Sequence, residues 1–104
     1  MPVYVMLTRL TSQGAQTLKH NPQRIMDVDQ QLAGMGLKIL DQYAVLGRYD
    51  FVNIVEAPDD ATIARISLEL SSRGSIHIET MRGVPVGEFV AGLKKEAVGA
   101  TAGG

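Results

Sequence analysis

The sequence predicts an α+β domain of the ferredoxin-like type, built on a four-stranded antiparallel sheet with an extra C-terminal helix. Two observations support this fold class. Segments rich in β-forming residues and segments with helical apolar spacing follow one another in the order β-α-β-β-α-β. Glycine or proline stands at most of the joints between them. Two helices can cover only one face of such a sheet, so the other face needs a different cover.

The first strand, over 3–10, has apolar residues at both odd and even positions. Because side chains alternate across a strand, each face of the sheet receives its own set. The odd set is Val3, Val5 and Leu7, and the even set is Tyr4, Met6 and Thr8. Both faces are therefore expected to be buried. A polar connection around Gly14 follows, with at most one helical turn over 15–19.

Glycine, proline and capping residues mark the ends of the remaining helices and strands. Pro22 suits the first turn of a helix and Gly36 suits its left-handed end. Gly47 can form the turn of a hairpin, and Asp59 or Asp60 can cap a second helix. The predicted elements are a helix over 22–36, strands over 37–46 and 51–57, a helix over 61–72 and a strand over 75–82.

The C-terminal segment has apolar residues at helical spacing, which predicts a further helix over 85–98. Gly87 and Gly92 weaken this helix, so it needs a surface on which to dock. The expected organisation is a single domain over 1–98 with a flexible glycine-rich tail over 99–104.

Composition excludes several classes of protein. The chain of 104 residues has a net charge of -1 and no concentrated basic patch, so nucleic acid is not an expected partner. No apolar run is long enough to span a membrane, and no secretory signal is expected at the N-terminal end, which makes a cytoplasmic location the default. The absence of cysteine excludes disulfides and thiolate chemistry. No cofactor and no metal are expected.

The uncovered sheet face indicates self-association. Residues 51–55 are apolar on both faces apart from Asn53. A bare apolar face of four strands would exceed what monomers normally expose. Pairing of two such faces would give a dimeric α/β barrel, with a lining that includes Tyr4, Thr8, His77 and Glu79.

The segment 46–52, Leu-Gly-Arg-Tyr-Asp-Phe-Val, followed by Ile-Val-Glu-Ala-Pro-Asp at 54–59, resembles the signature of the GYD-domain family. The resemblance extends over about residues 3 to 83. It implies a small ferredoxin-like chain related to the dimeric α/β barrel group. The same hairpin resembles the turn of effector-binding domains in leucine-responsive regulators, where it contributes to an oligomer interface and a small-molecule site. That resemblance directs attention to Gly47, Tyr49 and Asp50.

His77 and Glu79 are the pair of residues that could carry out chemistry together, because positions i and i+2 of a strand share one face. We expect that face to be the one away from the helices. An imidazole beside a carboxylate can act as a general base. Candidate ligand contacts are Tyr4, Tyr49, Asp50 and Arg24. Tyr49 can instead pack in an interface, the Asp50 carboxylate can instead fix the hairpin, and Arg24 can simply be solvated.

Three functions remain open on the sequence alone. The first is a homo-oligomeric module that binds or senses a small organic molecule at the interface between sheets. The second is a cofactor-independent oxygenase or isomerase that uses the barrel interior, with His77 as base and Tyr4 or Glu79 orienting the substrate. The third is a structural assembly protein without a ligand.

Overall fold

The fold is described from a computed structural model, which covers the backbone of residues 1–103 and the side chains of residues 1–96. Four strands and four helices follow one another along the chain. Their bounds are β1 Val3–Leu10, α1 Ser12–His20, α2 Arg24–Gly34, β2 Lys38–Ala44, β3 Phe51–Glu56, α3 Asp60–Ser72, β4 Ile76–Gly83 and α4 Val86–Gly103.

The four strands form one antiparallel sheet in the order β2-β3-β1-β4. In β1, Val5 lies opposite Ile54 of β3 and Met81 of β4. These residues belong to the open face, which is the face turned away from helices α1 to α3. Tyr4 lies opposite Val55, and both belong to the helix-covered face. The ferredoxin-like arrangement predicted by the order of the segments is thus confirmed.

The core lies between the helix-covered face and the helices. Ile63, Ile66 and Leu70 of α3 are buried against the sheet, as the apolar stripe of that helix predicts. The other buried apolar residues are Tyr4, Met6, Leu32, Leu37, Val55 and Ala57. Apolar open-face residues of β1 and β3 are only half-buried, because no layer among the described residues covers them.

Turns and caps follow the predicted residues closely. Gly47 has a φ of +118°, which glycine adopts without strain, and it lies in the β2–β3 connection. The Asp59 carboxylate accepts the N–H of Thr62 at 2.8 Å and so caps α3. Helix α2 begins at Arg24, two residues after the predicted start at Pro22.

The connection after β1 differs from the prediction, because α1 is a helix of nine residues. The Thr11 hydroxyl caps it by accepting the N–H of Gly14 at 3.0 Å, and it donates to the carbonyl of Gly74 at 2.8 Å. Gly14 itself is buried against Ser75. The sequence signal was weak because this helix is short and mostly polar, and tertiary contacts at its first turn stabilise it.

Helix α4 is present where the apolar spacing predicts it, but its part with described side chains, up to Glu96, is not docked on the rest of the domain. Every described side chain from Val86 to Glu96 is exposed. The molecule is accordingly elongated, with extents of 62 × 30 × 20 Å. The predicted flexible tail, 99–104, falls on residues whose side chains lie outside the described set, and its flexibility stays a prediction.

Among the helices that the structure describes, none combines the length and apolar content that crossing a membrane requires.

Candidate functional site

Polar and charged side chains gather on the open face, where the β2–β3 hairpin meets the first half of β4. We call this group the hairpin-end cluster, and its members are Arg9, Arg48, Tyr49, His77 and Glu79. Register explains part of it, because His77 lies opposite Arg9 and Glu79 lies opposite Leu7. The predicted placement of His77 and Glu79 away from the helices is confirmed by this register.

Tyr49 is the centre of the cluster. Its hydroxyl donates to a carboxylate oxygen of Glu79 at 2.9 Å, and the guanidinium carbon of Arg48 lies 6.0 Å from the ring centroid. The hydrogen bond to Glu79 raises the pKa of Tyr49, and desolvation and the Glu79 charge raise it further. The positive charges of Arg48 and Arg9 oppose that rise in pKa. The sequence pointed to Tyr49 and Glu79 separately, and the fold brings them into contact.

The cluster mixes positive, negative and neutral groups on an accessible surface. His77 and Glu79 are exposed, and Tyr49 is half-buried. Such a surface can bind an anionic or hydrogen-bonding group of a ligand or of a partner protein. Neither Arg9 nor Arg48 was predicted as a site residue, because their proximity to Tyr49 depends on the fold. The roles of His77 and Glu79 in catalysis, and of Tyr49 in ligand binding, stay predictions.

Replacing Glu79 by glutamine is expected to lower the pKa of Tyr49 toward its ordinary value of 10.0, because the carboxylate that holds the phenol proton is lost. A pKa raised above that of the unfolded chain stabilises the fold while the tyrosine is protonated. This contribution is present below about pH 10 and is lost as the pH rises through the pKa of folded Tyr49. The measurement is a pH titration of the tyrosine Cζ signals by NMR.

Tyr4 is the internal control for the Glu79→Gln titration, because it lies on the other face and interacts with Asp60 instead. The pKa of Tyr4 should be the same in the variant and in the wild type. An unchanged titration of Tyr49 in the variant would contradict the hydrogen bond between Tyr49 and Glu79.

Asp50 fixes the hairpin to the end of β1. Its carboxylate accepts the N–H of Leu10 at 2.8 Å, and its own N–H donates to the Thr8 carbonyl at 2.8 Å. Its carbonyl accepts the N–H of Val45 at 2.8 Å. This is the structural role that a carboxylate after a turn predicts. A ligand contact of Asp50 stays a prediction.

The structure corrects the predicted position of Tyr4 and Thr8. Both were expected on the same face as His77 and Glu79, but both are buried on the helix-covered face, where Tyr4 is 2% exposed. The sheet separates them from His77, so Tyr4 cannot orient a substrate bound there. The predicted alternation along β1 is present, but both sets of residues are apolar enough to face a core, and the sequence alone did not decide between them.

Tyr4 belongs to a second polar group at the start of α3. Its hydroxyl donates to the Asp60 carboxylate at 2.5 Å, and Arg82 donates to the same oxygen at 3.2 Å. Burial raises the pKa of Tyr4 most, and the hydrogen bond and negative charge of Asp60 add to it. These contacts hold the first turn of α3 against the β1–β4 edge of the sheet.

Arg24 lies far from the hairpin-end cluster. It begins α2 and lines a cavity between the helices and the sheet. Of the predicted site residues, the fold therefore brings together His77, Glu79 and Tyr49, while Asp50 is turned toward β1. Tyr4 and Arg24 lie on the helix side.

In the part of the chain whose side chains are described, no three His, Cys, Asp or Glu residues lie close enough together to hold a metal ion.

Comparison with solved structures supports the fold. The crystal structure of FFRP-DM1 superposes with a TM-score of 0.54 at 20% sequence identity, covering 81% of this chain and 100% of that one. The crystal structure of TTHA0845 from Thermus thermophilus superposes with a TM-score of 0.52 at 21% identity, covering 82% of this chain and 95% of that one. At these identities the likeness extends to the fold alone.

Sequence comparison gives a closer relationship. A protein of Thermus thermophilus named "Glutamine synthetase and cystathionine beta-lyase binding protein" is 50% identical over 95 residues, which are 90% of this chain and 100% of that protein. The family model described as GYD domain matches residues 4–92, from β1 into α4. With the hairpin signature, the fold and this match in agreement, the chain belongs to the GYD domain family.

Proposed function

We propose that this chain is a protein-binding regulatory module that works as a homo-oligomer and binds metabolic enzymes. The observation that carries the proposal is the relative from Thermus thermophilus, which is 50% identical over its full length and is named for binding glutamine synthetase and cystathionine beta-lyase. The exposed apolar surfaces of the chain are consistent with a protein that acts through contacts with other proteins.

The open face is the surface that we assign to a second copy of the chain. Val5, Ile54 and Met81 lie side by side on three neighbouring strands. Four strands at about 4.8 Å spacing and about six residues of length give a face of roughly 400 Å² per copy. Two such faces bury about 800 Å² together, which is less than the roughly 1,000 Å² expected of a specific interface.

Helix α4 supplies the missing area. Its apolar stripe is exposed, with Phe89 at 57% and Leu93 at 52%, and Val86 and Val90 lie on the same stripe. The described part of the helix is about 16 Å long and about 10 Å wide, so it adds roughly 160 Å² per copy. With the sheet, the total reaches about 1,100 Å². A second copy that receives both surfaces therefore buries slightly more than the roughly 1,000 Å² expected of a specific interface.

The hairpin-end cluster lies at the margin of this pairing surface, since Glu79 neighbours Leu7 and His77 neighbours Arg9. A small organic ligand held between two copies would contact this cluster. Such a ligand would be a regulator of protein binding.

Co-elution tests the binding of enzymes. The chain is mixed with purified glutamine synthetase or cystathionine beta-lyase from the same organism, each at about 10 µM, and passed over a size-exclusion column. We expect the chain to move to the elution volume of at least one enzyme. An unrelated enzyme of similar mass is the control for non-specific adhesion of exposed α4. Separate elution from both enzymes, with a chain shown by circular dichroism to be folded, would overturn the proposal.

A further inference from the structure

A cavity of about 150 Å³ lies between the helix-covered face and helices α1 and α2. It is on the opposite side of the sheet from the hairpin-end cluster and from the pairing surface. Its lining is mainly apolar and comes from every layer of the domain. The principal apolar residues are Met6, Ile25, Val28, Leu32, Phe51 and Ile78.

Asn53 brings a polar group into this apolar surrounding. It is the one polar residue between Phe51 and Val55 of β3, and it lies opposite Met6, on the helix-covered face. Its side-chain oxygen is buried and accepts no hydrogen bond from the described residues. A buried acceptor without a donor destabilises a fold, so its presence in a strand core calls for a donor from elsewhere.

Some polar residues of the lining already have partners. Gln42, which lies opposite Asn53 in the sheet, donates to Asp29 at 3.1 Å, and this contact joins β2 to α2. Arg73 donates to Gln31 at 3.0 Å. Among the described side chains, the Asn53 oxygen is the buried polar atom that has no hydrogen bond, so an occupant of the cavity could supply its donor.

We propose that this cavity binds a small, neutral, mostly apolar molecule of about the size of one ring, whose O–H or N–H group donates to the Asn53 oxygen. A cavity of about 150 Å³ with an apolar lining can admit a benzene-sized molecule. A single water molecule would fill only part of this volume, because its share of liquid water is about 30 Å³. The site does not depend on the pairing of two copies or on binding to enzymes.

Phenol and benzene are the matched probes, because they differ by the hydroxyl that would donate to Asn53. Titration calorimetry with the full chain is expected to show saturable binding of phenol, with one site per chain. Benzene is expected to bind about tenfold more weakly, which is the effect of one hydrogen bond of about 1.4 kcal/mol. In Asn53→Leu, which keeps the branched shape of the side chain and removes the acceptor, phenol and benzene should bind with equal affinity.

Two further variants separate the cavity from other surfaces. His77→Ala, on the open face, should leave phenol affinity unchanged. Val28→Phe, which fills the cavity from α2, should abolish binding of both probes, and it also tests the proposal if Asn53→Leu does not fold. The proposal is overturned if phenol does not saturate by about 10 mM, if its advantage over benzene survives in Asn53→Leu, or if His77→Ala removes binding.

Discussion

Replacing Gly14 by alanine is expected to destabilise the fold by about 3 kcal/mol. A Cβ at this position would lie 2.0 Å from the backbone oxygen of Ser75, a distance that no contact between these atoms allows. The obstacle is backbone, so no side-chain rotation can relieve it. The first turn of α1 would have to move away from the loop before β4, and the hydrogen bonds of Thr11 to Gly74 and Ser75 would weaken.

Gly34→Ala is the matched control for Gly14→Ala, since nothing lies within 4 Å of the added methyl group at the end of α2. It should leave stability unchanged or raise it by about 0.5–1 kcal/mol, because alanine favours a helix. Urea unfolding at one fixed protein concentration measures both variants, since an oligomer's stability depends on concentration. Equal stability of Gly14→Ala and the wild type would contradict the close approach of α1 to Ser75.

Val5→Asp is expected to dissociate the proposed homo-oligomer to the monomer of 11.2 kDa. Val5 lies at the centre of the open face, between Ile54 and Met81, and its side chain points away from the core of its own chain. A carboxylate buried there without a partner costs several kcal/mol, so the dissociation constant should rise by at least about 100-fold. Light scattering after size exclusion measures the mass of the wild type and the variant.

Leu68→Asp makes a comparable change on α3, where Leu68 is 72% exposed and distant from the open face. It should keep the mass of the wild type. If Val5→Asp does not fold, Met81→Asp tests the same surface from the edge strand β4, where Met81 is 46% exposed. A monomeric wild type, or equal dissociation by Leu68→Asp, would contradict pairing through the open face.

The light-scattering, co-elution and phenol-binding experiments test the pairing surface, enzyme binding and the cavity separately. If the chain is monomeric but binds phenol, the proposed cavity site is supported and the proposed pairing surface is not. If the chain forms oligomers but binds neither enzyme, the proposed pairing surface is supported and the proposed regulatory function is not.

The hairpin illustrates what local sequence can predict. Gly47 indicated the turn through its freedom at positive φ, and Asp50 indicated a carboxylate that binds backbone N–H groups. Both features appear in the structure. The partner of Asp50 was not predictable, because the N–H of Leu10 is 40 residues away along the chain. Local chemistry identifies the acceptor, and only the sheet register supplies the donor.

The candidate site likewise combines features that local sequence predicts with contacts that depend on the fold. His77 and Glu79 could be assigned to one face from their spacing, but their neighbours Arg9 and Tyr49 come from other elements. Asn53 was visible as an interruption of an apolar strand, yet its burial beside a cavity depends on how α1 and α2 cover the sheet. A single strand contains no information about the volume that its neighbours leave open.

The sequence by itself determined the order of the four strands, the presence of α2, α3 and α4, and the family signature, but it did not determine helix α1. These features follow from the periodicity of apolar residues and from the conformational limits of glycine and proline, which act over a few residues. The tertiary structure alone decided which face of β1 receives the helices, which places Tyr4 in the core and Val5 on the surface. When the odd and even residues of a strand are both apolar, the sequence does not tell which set faces the core, and long-range packing decides it.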